Sequence, residues 1–348
     1  MKAARIVQPG KISVMEIPTP TPGPGEILCK VSRCGVCSTD YSIYTGEFSF
    51  VKNGMVSFPI TPGHEWSGTV EVLGEGVDRF KPGDRVVGDT YVSCGVCYEC
   101  LIGQYQRCKN ARCVGTINSW DGAYAEYVLM PERHLFHLPE NVSFDNGALV
   151  EPAATALHAV RQADVKAGDK VLVQGAGTIG IMAGMLAKLS GASIVMIADR
   201  KDARLQAALT MGADIAVNVA HNSTFDVAVA HGMSHGFDCV IEASGSTDLL
   251  TDSVKLVRSG GTVAVVAFYE GTVDAFDVDR IVYGDITLRG VSGSRGMFDP
   301  ILNLMESGML DLTSLITARY PLDDVERAML DMRNREENQV KFMIENAI

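Results

Sequence analysis

Four cysteines, Cys94, Cys97, Cys100 and Cys108, stand in a C-x2-C-x2-C-x7-C run with Gly95 and Gly103 as turn residues. Four thiolates can enclose zinc tetrahedrally and leave no open position, which makes such a site structural. Bacterial iron–sulfur runs begin with the same spacing, but their last gap is shorter and ends in Cys-Pro, which is absent here. A second set is dispersed: Cys37 in CGVCSTD, His64 and Glu65 in PGHEWSG, and Glu151 in LVEPAATALH. Taken singly, a cysteine reads as packing and a glutamate beside Pro152 as a helix start. Together they supply thiolate, imidazole and carboxylate, the donors of a catalytic zinc with an open position. Asp40, three residues after Cys37, is spaced to orient a ligand imidazole.

A third motif, Gly175-Ala176-Gly177-Thr178-Ile179-Gly180, follows an apolar run and opens a helical one, and Asp199 ends the next apolar run 19 residues later. The glycines permit a tight turn and close approach of a pyrophosphate, whose charge meets the amides of the helix N-terminus. Asp199 can accept hydrogen bonds from a ribose 2′-hydroxyl and repels a 2′-phosphate, which favours NAD over NADP. Arg200 and Arg204 work against that preference, because either could meet a phosphate.

These motifs need elements to position them. Residues 1–150 carry short alternating runs between Gly and Pro turns, such as ISVMEI, EILCKV and GTVEVLG, a strand-and-turn texture. From Lys170 the chain alternates strand and helix, with KVLVQ, SIVMIAD, IAVNV, FDCVIEAS, GGTVAVVAF and ITLRGV as six nearly continuous apolar strands. That is the pattern of a parallel sheet covered on both faces, a doubly wound α/β nucleotide-binding fold. Beyond Ser292 two amphipathic helices and a last strand, KFMIEN, are predicted, with the charged run RNREEN between them on a solvated helix face.

With 348 residues the chain is long enough for about two domains. Its 42 acidic against 30 basic residues give a formal charge of −12, which repels nucleic acid. No apolar run has the length of a signal peptide or membrane span, and the clustered cysteines suit metal thiolates in a reducing compartment. A cytoplasmic protein is expected.

The order of Cys37, the GHExxG stretch from Gly63 to Gly68, the four-cysteine lobe, and GAGTIG with Asp199 resembles the zinc-containing medium-chain alcohol dehydrogenases over essentially the whole chain. LPENVSFDNGALVEPAATALHAV is most similar to the sorbitol, or polyol, dehydrogenase branch, whereas GSRGMFDPILNLMESGMLDLTSLIT also resembles threonine dehydrogenases. The resemblance implies a GroES-like β-rich catalytic domain over 1–150 with a structural-zinc lobe at about 90–113, a Rossmann domain over 151–292, and a return to the catalytic part over 293–348.

The same resemblance implies one catalytic and one structural zinc per chain, and NAD as cofactor. Cys37 and His64 become catalytic zinc ligands. Glu65 is favoured as the direct carboxylate ligand, with Glu151 behind the zinc-bound water or exchanging with it. Thr39 matches the hydroxyl that takes the substrate proton, but Ser42 stands where many relatives have a histidine, which leaves the outer relay unassigned. The expected activity is reversible oxidation of a secondary alcohol of a polyol to the ketone. The alternatives are L-threonine or another amino alcohol as substrate, or a zinc-stabilised nucleotide-binding regulator without catalysis. A homotetramer is implied, with a homodimer as the alternative.

Overall fold

The structure, a computed structural model, describes residues 1–274, 276–333 and 339–346. Two compact units are distinguished: the first holds Met1–Glu151 and most of the chain from Phe298 onward, the second Pro152–Met297.

In the first unit β1 (Lys2–Gln8) and β2 (Lys11–Glu16) form a hairpin. They are followed by β3 (Glu26–Val36), helices α1 (Ser38–Thr45) and α2 (Ser49–Lys52), then β4 (Glu65–Leu73), β5 (Arg85–Gly88) and β6 (Tyr91–Val92). The cysteine lobe contributes α3 (Tyr98–Leu101) and a 3-10 turn, Tyr105–Arg107, before β7 (Arg112–Cys113), β8 (Tyr127–Pro131) and β9 (Leu135–His137). Helix α4 (Phe144–Ala148) ends this stretch, and α5 (Val150–Gln162) passes into the second unit at Pro152.

The second unit is built from β10 (Lys170–Gln174), α6 (Thr178–Leu189), β11 (Ile194–Asp199), α7 (Asp202–Thr210), β12 (Ile215–Asn218) and α8 (Thr224–Ala230). It continues with β13 (Phe237–Glu242), α9 (Thr247–Leu256), β14 (Val257–Val265), α10 (Val278–Gly284) and β15 (Thr287–Gly290). The chain then returns to the first unit as α11 (Phe298–Glu306), β16 (Ile316–Pro321), α12 (Val325–Arg333) and β17 (Lys341–Glu345).

The six strands of the second unit form one sheet in the order β12-β11-β10-β13-β14-β15, every pairing parallel. Val171, Leu172 and Val173 of β10 and Val195, Met196 and Ile197 of β11 are buried, because helices on both faces exclude water. The order reverses at β10, so the carboxyl ends of β10, β11 and β13 border the crevice in which such sheets bind ligands. The edge strand departs from the sequence expectation. All four residues of β15 are exposed, although its composition resembles that of its buried neighbours.

The main sheet of the first unit runs β16-β17-β3-β4-β5-β9, with β8 also paired to β3. Its long β3 is buried along most of its length, and Ile27, Cys29 and Val31 pack with Trp66, Val70 and Val128. The strand β16 is not evident in the sequence: ITARYP alternates half-buried and exposed positions and, among the described strands, pairs only with β17, as an edge strand does. Of the charged run RNREEN, Arg333 ends α12 and the remaining positions, 334–338, lie outside the described residues. Among the described residues no helix is long and apolar enough to cross a membrane.

Candidate functional site

The site in the first unit is organised by Asp40, a fully buried carboxylate on the first turn of α1. Its Oδ2 accepts the backbone N–H of Cys37 at 3.0 Å and the hydroxyl of Tyr124 at 2.9 Å, and its Oδ1 accepts the N–H of Gly63 at 3.1 Å. One side chain therefore ties the end of β3 to the segment that enters β4. His64 follows Gly63, and its Nδ1 lies 3.4 Å from Asp40 Oδ1. Burial works to raise the pKa of Asp40, but the charge of His64 and these hydrogen bonds outweigh it and hold the carboxyl below its ordinary value. Gly63 has φ +92°, and a Cβ there would sit 2.6 Å from the Tyr124 ring, so only glycine lets the chain pass between Tyr124 and Asp40.

This clamp brings Cys37, His64 and Glu65 together, with one donor atom of each within 4.8 Å of the others. Glu65 opens β4 directly opposite Gly35 of β3. Its Oε2 forms an ion pair with Lys341 Nζ of β17, both side chains being 3% exposed, and the same ammonium donates to the Val36 carbonyl at 3.0 Å. Gly35 makes room for the pair, since a Cβ at that position would overlap Glu65 Oε2 at 2.1 Å. A thiolate, an imidazole and a carboxylate, joined by no fourth donor among the described residues, fit a zinc that keeps a position for substrate.

Glu151 lies outside that three-donor group. It opens α5, and its Oε1 accepts the Thr90 hydroxyl at 3.1 Å. Burial first, then the nearby Glu65 and Asp89 charges, raise its pKa to about 7 against the opposing pull of His64 and Thr90. A carboxyl that ionises near neutrality can hold or release a proton beside the donor group. Thr39 is half-buried on the first turn of α1, two positions after Cys37. The aromatic residues between the Cys37 loop and His64 are core: Tyr44 and Phe48 are buried, with Phe50 and Phe58 packed against the same cluster.

In the lobe the four cysteine sulfurs face one another. Sγ–Sγ separations are 3.9 Å for Cys94–Cys100 and 3.5 Å for both Cys97–Cys100 and Cys94–Cys108. Zinc–thiolate bonds in a tetrahedron require sulfurs about 3.8 Å apart, so the cage has the right size. Backbone amides of Val96 and Cys97 aimed at Cys94 draw its pKa down to about 6, which favours the thiolate.

In the second unit Gly175 has φ +101°, and Gly180 packs so closely that a Cβ on it would lie 1.8 Å from the Gly175 carbonyl. A Cβ on Gly177 would meet no heavy atom within 4 Å, which leaves open space at the N-terminus of α6. The loop thus fits a pyrophosphate approached by backbone amides. Thr178 and Ile179 form the first turn behind it. Asp199 also braces the loop: its Oδ2 accepts the Ala176 N–H at 2.7 Å, and its Oδ1 accepts those of Arg200 and Lys201 at 2.7 and 3.0 Å. Arg204 lies on the first turn of α7, with its Nε buried and without a hydrogen-bond partner among the described residues.

Comparison with known proteins agrees with this geometry. Residues 23–140 match the family described as alcohol dehydrogenase GroES-like domain, and residues 178–307 match zinc-binding dehydrogenase. The chain is 35% identical over 345 residues to an L-threonine 3-dehydrogenase of Deinococcus radiodurans, covering 98% of this chain and 97% of that one. The structure of 2R,3R-butanediol dehydrogenase from Bacillus subtilis superposes with a TM-score of 0.89 at 32% identity, covering 99% of both chains. A Sinorhizobium meliloti protein described as a zinc-binding dehydrogenase, solved with NADP bound, gives 0.91 at 30% identity over 99% of this chain and 98% of that one. The chain belongs to the zinc-containing medium-chain alcohol dehydrogenase family. It is a dehydrogenase that uses zinc and a nicotinamide dinucleotide.

Lys341 and Tyr124 are not evident as site residues in the sequence. The signal for Lys341 was a lysine opening a buried apolar strand, since a lysine is rarely buried without a partner. Tyr124 carried none. Lys341→Met leaves Glu65 buried without its counter-charge and should destabilise the metal-free protein by about 3 kcal/mol. Zinc should restore most of that loss, because a cation on the donor group neutralises the same carboxylate. Urea unfolding of parent and variant, each with chelator and with zinc, measures both differences, and an equal loss in the two conditions would contradict the account.

Proposed function

We propose that this enzyme oxidises a secondary alcohol bearing an adjacent polar substituent, with L-threonine as substrate and NAD as acceptor. The Cys37–His64–Glu65 donor group carries the reaction class, and the full-length similarity to L-threonine 3-dehydrogenase supports the amino alcohol. When bound, zinc supplies a Lewis acid that lets an alcohol ionise near neutral pH, and the nicotinamide supplies the hydride acceptor. Cys37 and His64 hold the metal, and Asp40 fixes the imidazole. Glu65 is the carboxylate ligand, in exchange with its Lys341 pair, and Glu151 acts beside it through the hydrogen bond to Thr90. Thr39 takes the proton from the substrate hydroxyl. A polyol or vicinal diol is the second reading, supported by the likeness to butanediol dehydrogenase.

Asp199 supports NAD over NADP, because its charge, fixed by three backbone amides, repels a 2′-phosphate at the end of β11. Self-association is proposed through the uncovered edge of the second unit, as a dimer that a homotetramer would contain. Four-residue β15 ends the sheet among the described residues, and Val278, Val282 and Tyr283 of α10, the helix that precedes it, are 59%, 75% and 70% exposed. A second copy related by a two-fold axis can pair the same strand and bury the same residues.

Three measurements test these proposals. NAD reduction should be fastest with L-threonine in a panel that includes 2R,3R-butanediol, sorbitol and galactitol 1-phosphate, and Cys37→Ala should abolish turnover while NAD binding survives. A diol or polyol oxidised while L-threonine is inert would favour the second reading. Asp199→Ala should move the ratio of NAD to NADP efficiency toward NADP by about tenfold or more, an outcome excluded if the parent already prefers NADP. Val282→Glu should lower the oligomer mass seen by light scattering, and an unchanged mass would remove that edge from the interface.

A further inference from the structure

Among the described residues two clusters of metal donors lie in the first unit, and a short chain of half-buried polar contacts leads from the four-cysteine cluster to Glu151. Tyr105 sits in the 3-10 turn between Cys100 and Cys108, so a metal held by the four cysteines closes the loop that carries it. The Tyr105 hydroxyl donates to Asp89 Oδ2 at 2.8 Å, and Asp89 is fully buried. The Asp89 peptide is fixed further by its own N–H, which donates to the His134 carbonyl at 2.9 Å. His134 in turn touches the lobe twice. Its ring lies 5.2 Å from that of Tyr105, and its Nε2 accepts the N–H of Ser93, the residue before Cys94, at 3.0 Å. Burial, then the neighbouring Arg133 charge, lowers the His134 pKa to about 3, so the ring stays neutral and able to accept. The next residue after Asp89 is Thr90. Its carbonyl accepts the Val114 N–H at 2.9 Å, and its hydroxyl reaches Glu151 at 3.1 Å.

We infer that the four-cysteine lobe sets the position of the Glu151 carboxyl through Tyr105, Asp89 and Thr90, which makes Tyr105 and Thr90 positioning residues for the reaction. The inference rests on the dehydrogenase reading for its consequence in turnover, but the geometric link does not depend on which alcohol is oxidised. A lobe that only stabilised the fold would have no need to place a tyrosine hydroxyl on the side chain of Asp89, the residue before the threonine whose hydroxyl bonds Glu151. With the lobe closed, Tyr105 holds the Asp89 carboxylate, and the Asp89–Thr90 peptide has no freedom to swing. The Thr90 hydroxyl then presents its proton to Glu151 in one direction.

The test uses the full-length protein with cobalt(II) exchanged into the Cys37–His64–Glu65 site and zinc kept in the lobe, because cobalt's visible bands report donor geometry without turnover. Tyr105→Phe keeps the ring beside His134 and removes only the hydroxyl. It should retain the lobe zinc, shift the cobalt bands, and lower kcat about three- to tenfold with KM for NAD unchanged. Thr90→Val should give the same shift and Thr90→Ser should restore the parent spectrum. The double variant Tyr105→Phe/Thr90→Val should be no worse than Thr90→Val alone, since both cut one path. Unshifted bands in Tyr105→Phe, or effects that add in the double variant, would overturn the inference. Should Tyr105→Phe lose its lobe zinc, the Thr90→Val and Thr90→Ser pair still decides, because unshifted bands in Thr90→Val would break the link at Glu151. A parent protein with cobalt bands that leaves L-threonine unoxidised would instead refute the proposed substrate and leave the spectral comparison to stand by itself.

Discussion

The buried carboxylate of Asp40 is the constraint on which the first unit's chemistry depends. An ionised group with no exposure is tolerable only when its oxygens are bonded, and here two backbone amides and a phenol satisfy them while His64 stands opposite. Because the amides belong to Cys37 and Gly63, satisfying the charge also fixes the two segments that deliver the thiolate and the imidazole. The cost of burying Asp40 and the precision of the metal site are the same interaction seen from two sides.

A second charge is handled differently. Glu65 is held by Lys341, from the strand that the chain adds last, and both ions depend on the space left by Gly35. Breaking such a pair from one side leaves an uncompensated charge, which is why the C-terminal segment is part of the site and not an appendage. The Glu65 carboxylate has the Lys341 ammonium as its counter-charge, and donor atoms of Cys37 and His64 stand within 4.8 Å of it.

The nucleotide loop obeys a local logic. Gly175 turns with a positive φ, Gly177 leaves space and Gly180 accepts a close carbonyl, all within six residues. Asp199 adds a function that its spacing alone does not reveal. It ends β11 and accepts the Ala176 amide, so it braces the loop from 23 positions away.

Spacing along the sequence determined the features whose parts are close neighbours. The cysteine lobe, the glycine loop and the six apolar strands are legible because a turn, a tetrahedral cage or a strand is specified by a few adjacent residues. The helices of the C-terminal stretch were legible for the same reason, through their periodicity, whereas β16 was not, since a half-exposed edge strand lacks an apolar run. What only tertiary structure decided are the pairings between distant segments. Lys341 bonds the Val36 carbonyl across 305 positions, Tyr124 reaches Asp40 across 84, and Thr90 reaches Glu151 across 61. Periodicity reports which side of an element is buried, but it carries no information about which distant side chain will be there to satisfy a buried charge. That choice is made when strands from opposite ends of the chain enter one sheet.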